Sequence, residues 1–366
     1  MTHRRLAISA EPLTARHDVA LVDLDGVVYR GPDPIAGAVD HLAAAGAAGM
    51  QLGYVTNNAS RPPRAVAEHL RGLGIDLRDQ DVVTSAQAAA RLVAAEVPAG
   101  SQVLVIGGPG LVEALAEHDL LACSSLDDAP AAVVQGFHRS VGWELLAEGA
   151  YAVAAGLPWV ASNLDRTVPT SRGIAPGNGT LVAVIQAATG VEPVVAGKPE
   201  PALVRESVLR TGADRPLMVG DRLDTDISGA SRYPMPSLLV LTGVTSLSDV
   251  LAAEGDERPD FVAADLAGLL ARHPDVMSAG ADAATCCGWT ARVDDGQLRL
   301  RPSVPGDAPV DAPVDAPDAP VDSPGAGVAA LRAVVAAGWA ARDSGAAEVG
   351  LGSVAQQLDE LASAPP

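Results

Sequence analysis

The chain has 366 residues, 48% of them hydrophobic and 19% charged, so most of it is expected to bury the core of two domains or of one domain with a large insertion. The formal net charge of −20 argues against nucleic acid and anionic membranes as partners, because a phosphate backbone would be repelled. No apolar run approaches the ~20 residues that a membrane span needs.

The first residues, "MTHRRLAISAEPL", contain no apolar core before Glu11, so no signal peptide is predicted. The chain has three cysteines, Cys123, Cys286 and Cys287, which form no disulfide framework and fit a reducing compartment. We therefore expect a cytoplasmic protein with inert thiols.

Short apolar runs alternate with amphipathic stretches from residue 18 to about residue 272. Strands are predicted at 19–23, 51–57, 103–108, 131–137, 158–163, 216–221 and 237–243. Helices are predicted at 35–48, 63–72, 85–96, 141–155, 181–189 and 201–211. This alternation predicts an α/β fold with a mainly parallel sheet covered on both faces, whose ligands bind beyond the carboxyl ends of the strands.

The C-terminal part has a different composition. Residues 301–327 form a Pro/Ala/Asp repeat that predicts an extended, solvated linker. Before it, "TARVDDGQLRLRP" predicts a small hairpin with an Asp-Gly turn at 295–296. After it, helices are predicted at 328–342 and 354–362.

Two aspartates stand at the end of the first predicted strand, in "VALVDLDGVVYRG". Asp23 and Asp25 flank Leu24, and Gly26 allows a sharp turn there. Carboxylates this close raise each other's pKa unless a cation neutralises them, and Mg²⁺ suits oxygen ligands of this kind. The alternative interpretation is one capping and one turn aspartate.

A second acidic cluster follows a later strand, in "MVGDRLDTDISGA". Asp221, Asp224 and Asp226 lie just after an apolar run, so the two clusters can converge on one ion.

Two further motifs offer groups for an anion. Lys198 in "GKPEP" precedes a predicted helix, and Thr56 and Asn57 in "VTNNASR" follow a strand. Taken alone, each has an ordinary alternative, a surface lysine and a common turn.

The order Asp-Leu-Asp-Gly, Thr-Asn-Asn, Gly-Lys-Pro and Gly-Asp-Arg-x-x-Thr-Asp resembles the haloacid dehalogenase superfamily of phosphatases, subfamily IIA. This group includes NagD-like and p-nitrophenyl phosphatase-like proteins and the glycerol 3-phosphate and phosphoglycolate phosphatases. The resemblance covers about residues 17–272. It implies a Rossmann-like core with an inserted α/β cap of the C2 type.

The domain boundaries expected from this resemblance and from composition divide the chain into six parts. They are the first part of the core (1–82), the cap (83–187), the second part of the core (188–272), a small hairpin region (273–300), the linker (301–327) and a helical segment (328–366).

Carried onto matching positions, the resemblance implies that Asp23 is the nucleophile and forms an aspartyl-phosphate, and that Asp25 is the general acid and then the base. Mg²⁺ would be held by Asp23, the backbone carbonyl of Asp25 and Asp221, with Asp226 supporting its waters. An acid two residues after the nucleophile also favours an alkoxide leaving group, hence phosphate esters.

The resemblance further implies that Thr56, Asn57 and Asn58 bind the phosphoryl oxygens. Lys198 would neutralise both Asp23 and the group being transferred.

The segment 161–185 is expected to return from the cap to the core, with Thr180 capping the helix that follows. Substrate selection is expected from Asn163, Asp165, Arg166 and Arg172, where either arginine could attract an anionic substrate. A small polar phosphoester fits best, glycerol 3-phosphate first and phosphoglycolate second. In the family that the sequence resembles, the caps of two subunits often meet across a two-fold axis, so a homodimer is expected.

The chain continues for some 90 residues beyond the resemblance. There "DSPGAGVAALRAVV" faintly resembles the acetyl-CoA loop of GCN5-related acetyltransferases, in that Gly325 and Gly327 match. Asp322 would repel pyrophosphate and Pro324 lacks a backbone donor, so a degenerate packing or dimerisation element is expected.

Two alternatives stay open. One is a broad-range phosphatase for phosphoglycolate, nucleotides or sugar phosphates. The other, of a different class, is a catalytically silent protein that binds phosphorylated metabolites and recruits partners through its tail. The Asp23/Asp25 pair argues against the silent protein, because a binder has no use for an acid beside a nucleophile.

Overall fold

A computed structural model describes residues 4–170, 172–303 and 326–363. The described residues form two compact units. Unit 1 lies within Met1–Arg30, Pro34–Gln51 and Arg215–Pro366, and unit 2 lies within Gly31–Asp33 and Leu52–Asp214. The six domain boundaries expected from sequence remain predictions.

The strands, in chain order, are β1 (Val19–Asp23), β2 (Tyr29–Arg30), β3 (Asp33–Pro34), β4 (Gln51–Thr56), β5 (Val82–Thr84), β6 (Gln102–Ile106), β7 (Leu121–Cys123), β8 (Ala132–Gln135), β9 (Trp159–Ala161), β10 (Thr167–Thr170), β11 (Gly173–Pro176), β12 (Val194–Val195), β13 (Pro216–Gly220), β14 (Ser237–Val240), β15 (Phe261–Ala263), β16 (Met277–Gly280), β17 (Ala283–Cys286), β18 (Trp289–Asp294) and β19 (Gln297–Pro302).

The helices, in chain order, are α1 (Leu13–Arg16), α2 (Ala38–Ala47), α3 (Pro63–Gly72), α4 (Ser85–Glu96), α5 (Pro109–Ala116), α6 (Trp143–Ala154), α7 (Asn178–Thr189), α8 (Pro201–Thr211), α9 (Ser228–Arg232), α10 (Leu247–Ala252), α11 (Ala326–Asp343) and α12 (Val354–Ser363). In the part of the chain that the structure describes, no helix has the length and apolar character needed to cross a membrane.

Unit 1 is built on parallel strands in the order β15-β14-β13-β1. Strand β1 pairs with β13 from Val19↔Pro216 to Val22↔Val219, so the two strands end side by side. Nearly every residue of these strands is buried, as expected for a parallel sheet covered on both faces. The predicted parallel α/β core is therefore confirmed.

The C-terminal part of unit 1 contains the antiparallel sheet β16-β17-β18-β19, on which α11 packs. The predicted hairpin at 295–296 is present, and Asp295 and Gly296 have φ of 49° and 72°, as a two-residue hairpin turn requires. The sheet has two more strands, β16 and β17, than the hairpin predicted from the sequence. These two strands were not predicted because they are short and rich in Ala and Gly, with little alternation of apolar and polar residues.

The predicted linker falls almost wholly on residues 304–325, which lie outside the described residues. The same holds for Asp322, Pro324 and Gly325 of the acetyltransferase-like loop, while Gly327 lies in the first turn of α11. The faint resemblance to acetyltransferases therefore remains a prediction.

Unit 2 contains the parallel sheet β12-β9-β8-β6-β7 and the parallel pair β4-β5. Helix α7 begins at Asn178, three residues earlier than predicted. The expectation that Thr180 caps this helix is wrong, because Thr180 lies inside its first turn and donates to the backbone oxygen of Arg166.

A fully buried carboxylate, that of Glu206, joins α8 to α4 within unit 2. It pairs with Arg91 and with Arg210, and Arg210 continues to Glu117 at 2.5 Å. Burial alone would raise the pKa of Glu206, but the hydrogen bonds and charges of the two arginines outweigh burial and lower it.

Candidate active site

Three carboxylates of unit 1 lie together at the carboxyl end of the parallel sheet. Asp23 is the last residue of β1, Asp221 follows β13 directly, and Asp226 lies in the π-helical turn Leu223–Ile227. Each offers one oxygen, and these oxygens all lie within 4.8 Å of one another. Since β1 and β13 are paired in parallel, their acidic ends meet at the same edge.

A cradle of backbone fixes the Asp221 carboxylate, which is completely buried. The Val244 N–H donates to Asp221 Oδ2 at 2.6 Å, and the Thr245 N–H donates to the Asp221 backbone oxygen at 3.2 Å. Gly26, with φ of 89°, passes so close that a Cβ there would lie 2.5 Å from Asp221 Oδ2. Gly243 is another close neighbour, where a Cβ would overlap the same carboxylate.

The Asp226 carboxylate, 1% exposed, is held from its own turn. The Arg222 N–H donates to Asp226 Oδ2 at 3.1 Å, and the Arg222 guanidinium forms a two-pronged ion pair with Asp224 at 3.0 and 2.7 Å. The acidic cluster predicted at 221–226 is thus divided, with Asp221 and Asp226 in the carboxylate group and Asp224 directed to Arg222.

Asp25 is exposed, and within the described residues its carboxylate is not part of the three-carboxylate group. Its backbone lies in the turn after β1, where the Gly26 N–H donates to the Tyr29 oxygen at 2.9 Å. A side chain in this place is accessible for proton transfer to a bound group, whereas its metal contact was expected through the backbone carbonyl.

The donor set fits a hard divalent cation. Three carboxylates with oxygens this close offer the ligands that Mg²⁺ prefers, and two of them are buried and oriented by backbone N–H groups. Asp23, Asp221 and Asp226 are the residues that could hold the ion.

In unit 2 the predicted Thr-Asn-Asn and Gly-Lys-Pro motifs are tied to each other. Asn57 Oδ1 accepts from the Lys198 N–H at 2.8 Å, and Asn57 Nδ2 donates to the Lys198 backbone oxygen at 3.1 Å. Gly197 allows this approach, since a Cβ there would lie 2.7 Å from Asn57 Oδ1. Asn57 thereby fixes the backbone of Lys198, whose side chain is largely buried.

Thr56 and Asn58 belong to the turn that follows β4. The Asn58 N–H donates to Thr56 Oγ1 at 3.1 Å, and Asn58 Oδ1 accepts from both the N–H and the hydroxyl of Ser60. The Asn58 side chain thus stabilises the turn, and its predicted contact with phosphate stays a prediction.

The four residues expected to select substrate divide into two pairs. Asn163 is buried and donates to the Asn57 backbone oxygen at 2.7 Å, and its Oδ1 accepts from the Asp165 N–H at 3.1 Å. Arg166 and Arg172 are exposed. The first pair organises the loop beside Asn57, while the two arginines have the accessibility that substrate contact needs.

Sequence reasoning missed the loop that supplies the Asp221 cradle. Gly243 and Val244 follow β14, more than 20 residues after Asp221, and they act through backbone atoms. The only signal in the sequence is Gly243, which lies three residues after the end of the buried strand β14.

The fold and the acidic cluster together define an α/β protein with a site suited to a divalent cation. A family model described as haloacid dehalogenase-like hydrolase matches residues 20–121, and a model described as HAD-hydrolase-like matches residues 195–269.

Named relatives agree with the family models. The chain is 47% identical over 257 residues to D-glycerol 3-phosphate phosphatase of Mycobacterium tuberculosis, which covers 70% of this chain and 72% of that protein. It is 38% identical over 232 residues to acid sugar phosphatase of Staphylococcus aureus, and this alignment covers 63% of this chain and 88% of that protein.

Crystal structures of glycerol phosphate phosphatase from M. tuberculosis are similar over most of the chain. The calcium complex has a TM-score of 0.78 at 39% identity and covers 96% of this chain and 98% of that chain. The magnesium complex has a TM-score of 0.76 at 40% identity and covers 90% and 92%. The chain belongs to the haloacid dehalogenase-like hydrolases, in which it is a subfamily IIA phosphatase.

Proposed function

We propose that the protein hydrolyses glycerol 3-phosphate, with Asp23 as the attacking group. The observation that carries this proposal is the group of three carboxylates within 4.8 Å at the ends of β1 and β13. The choice of substrate is supported by the 47% identity to an enzyme named D-glycerol 3-phosphate phosphatase.

In the first step, an Asp23 carboxylate oxygen attacks phosphorus while the bond to the glycerol oxygen breaks. Asp25 gives its proton to the departing alkoxide, so glycerol leaves neutral. In the second step, Asp25 takes a proton from water, the water oxygen attacks the aspartyl-phosphate, and inorganic phosphate leaves with Asp23 restored.

Asp23, the backbone carbonyl of Asp25 and Asp221 would hold Mg²⁺, and Asp226 would hold its waters or contact it directly. When bound, the ion neutralises the carboxylates and the charge of the transferring phosphoryl group. The chain's own contribution is a carboxylate set in which Asp221 and Asp226 are buried and oriented in advance by backbone N–H groups, so these two need little reorganisation during the reaction.

Thr56, Asn57, Asn58 and Lys198 are proposed to serve the phosphoryl group, as the order of the family motifs implies. The hydrogen bonds within unit 2 favour a division of roles. Both polar atoms of the Asn57 amide contact the Lys198 backbone, so Asn57 would act by positioning Lys198. The Lys198 ammonium and the Thr56 hydroxyl would then contact phosphate.

Arg166 and Arg172 are proposed to attract the anionic substrate, because both are exposed cations on the segment that returns from the expected cap. Asn163 and Asp165 would shape the same segment through their hydrogen bonds.

We further propose a cytoplasmic homodimer. The three cysteines, all within the described residues, form no disulfide, which suits a reducing compartment. Trp143 is 76% exposed and Tyr151 56% exposed on α6, and large apolar side chains left in water are typical of an interface. Light scattering of the wild type against Trp143→Ser tests this, with a monomeric variant and a dimeric wild type expected.

A broad-range activity on sugar phosphates is the second candidate, favoured by the 38% identity to acid sugar phosphatase. Phosphate release from a panel of phosphomonoesters, with and without EDTA, decides between the two. We expect the highest kcat/KM for glycerol 3-phosphate. Equal rates across sugar phosphates and nucleotides would favour the second candidate.

The same assay tests the nucleophile. Asp23→Asn is expected to abolish turnover without unfolding the protein, whereas the matched change Asp224→Asn, at a carboxylate directed to Arg222, is expected to keep most of it. A near-wild-type rate for Asp23→Asn would disprove the assignment. Absence of phosphate release from every substrate by the wild type would support a silent binder.

A further inference from the structure

The C-terminal helix α11 does not form a core of its own. Its residues Val334, Val335 and Trp339 belong to one hydrophobic cluster with Leu223 and Ile227 of the π-helical turn, with α10 and with the antiparallel sheet. The turn that carries Asp226 and the helix that follows the Asp221 cradle therefore share their packing with the C-terminal part of the chain.

Trp339 links α11 directly to α10. Its indole N–H donates to the Val250 backbone oxygen at 2.7 Å, and the side chain is only 3% exposed. The neighbouring Gly338 lets the two helices approach, because a Cβ there would lie 2.5 Å from Leu251 Cδ2. The position of α10 relative to α11 is thus determined by a hydrogen bond and by close packing.

Arg258 also joins α10 to α11. Its guanidinium carbon lies 4.8 Å from the centre of the Trp339 ring, and its two terminal nitrogens bind both Asp343 carboxylate oxygens at 2.9 and 2.6 Å. Its Nε donates to the Ala253 backbone oxygen at 2.9 Å, just after α10 ends. Both ends of this clamp therefore join α10 to α11.

At its N-terminal end, α10 directly follows the residues that contact Asp221. Ser246 caps the helix in a reciprocal pair of hydrogen bonds with Asp249. The two residues before the cap, Val244 and Thr245, donate their N–H groups to the carboxylate and the backbone oxygen of Asp221. A shift of α10 would carry these donors with it.

Helix α10 has only six residues, too few for a helix to persist without tertiary contacts. Its position therefore depends on its packing partners, and α11 supplies the indole hydrogen bond and the Arg258 clamp. The Asp221 carboxylate is oriented in turn by the loop that α10 anchors.

We propose that Trp339 is a positioning residue for Mg²⁺ binding, acting through α10 and the Val244 N–H on Asp221. This inference rests on the proposed role of Asp221 as a metal ligand. It gives the C-terminal extension a part in the hydrolase site of unit 1, at a distance from the ion and without contact to substrate.

The chain offers a matched control for the test. Trp289 is 6% exposed and belongs to the same hydrophobic cluster, but its buried indole nitrogen has no hydrogen-bond partner among the described residues. Trp289→Phe and Trp339→Phe remove the same atoms from the same core. Only the second removes a hydrogen bond to α10.

The experiment measures the dissociation constant for Mg²⁺ by calorimetry on the full-length wild type and both variants, together with urea stability without Mg²⁺. Phosphate release against Mg²⁺ concentration is measured in parallel. We expect Trp339→Phe to weaken Mg²⁺ binding at least about threefold, below the roughly 10–100-fold loss seen when a direct partner of a metal ligand is removed. We expect Trp289→Phe to stay within about twofold, because its indole nitrogen makes no hydrogen bond among the described residues that the change could remove.

An unchanged Mg²⁺ affinity in Trp339→Phe, or equal losses in both variants, would overturn the inference. If Trp339→Phe fails to fold, Asp343→Asn, which opens the Arg258 clamp at a more exposed position, is expected to weaken Mg²⁺ binding in the same direction. Retained affinity there would equally overturn it. A wild type that releases no phosphate with Mg²⁺ contradicts the proposed function, whereas an active wild type with unaffected variants contradicts this inference alone.

Discussion

His273 makes the stability of unit 1 depend on pH. The side chain is completely buried, its Nε2 is hydrogen-bonded to the Gly268 oxygen at 2.9 Å, and its ring packs edge-on against Phe261 with centroids 4.9 Å apart. Burial lowers the pKa of His273 from 6.5 to about 4, the hydrogen bond to Gly268 opposes that effect, and the charge of Arg332 adds to it. The folded protein therefore binds this proton more weakly than the unfolded chain does.

The sign of the effect follows from the lowered pKa. The contribution of His273 to stability is complete above the unfolded pKa near 6.5 and is lost as the pH falls toward 4. A shift of this size corresponds to roughly 3 kcal/mol at full protonation, of which about 2 kcal/mol is lost between pH 7 and pH 5. His17, whose pKa burial also lowers, acts in the same direction.

The perturbation is His273→Gln, which keeps a donor for the Gly268 oxygen and removes the titration. Urea unfolding at pH 7 and pH 5, followed by the fluorescence of the buried Trp289 and Trp339, gives the loss of stability in each protein. The wild type is expected to lose about 2 kcal/mol more than the variant over this interval. The carboxylates contribute equally to the loss of stability in both proteins, so their contribution cancels when the two losses are subtracted.

His138→Gln is the control, since His138 lies partly exposed in a turn of unit 2 and contacts Ser140. It is expected to leave the pH dependence at its wild-type value. Equal losses in the wild type and in His273→Gln between pH 7 and pH 5 would refute the reasoning.

Two further changes test the packing and the site. Glu206→Gln leaves two arginines without their buried carboxylate and is expected to cost roughly 2–4 kcal/mol of unfolding free energy in urea, because removing one partner of a buried ion pair is strongly destabilising; a cost below ~0.5 kcal/mol would contradict a structural role, as that is the range of ordinary surface changes. Gly243→Ala places a Cβ on the Asp221 carboxylate and is expected to weaken Mg²⁺ binding about 10-fold or more by calorimetry, while Gly46→Ala, with open space around it, is expected to bind Mg²⁺ as the wild type does.

Several elements could be predicted from the sequence because local signals mark their ends. Helices α3 and α8 begin at a proline, and α4 is capped by Thr84, whose side chain and backbone pair reciprocally with Gln87. These signals mark where the three helices begin, and all three match the predicted bounds. Strands β5, β7 and β15 were not predicted, since three residues carry little hydrophobic periodicity, whereas the equally short β9 lies within the longer predicted run 158–163.

The convergence of Asp23 with Asp221 was also predictable, because parallel strands with acidic ends share one edge of a sheet. The Val244 donor was not, since a backbone N–H leaves no mark on the sequence and the loop is distant along the chain. For the same reason the proposed positioning role of Trp339 could not be predicted, since its hydrogen-bond partner is a backbone oxygen.

The central claim, that Asp23 becomes phosphorylated during turnover, is tested most directly by trapping. The enzyme is mixed with Mg²⁺ and glycerol 3-phosphate, quenched in acid and reduced with borohydride, which converts an aspartyl-phosphate to homoserine. Mass spectrometry is expected to find homoserine at position 23, in wild-type enzyme with substrate and not in enzyme without it. Homoserine at another acidic residue, or at none while phosphate is released, would contradict the account.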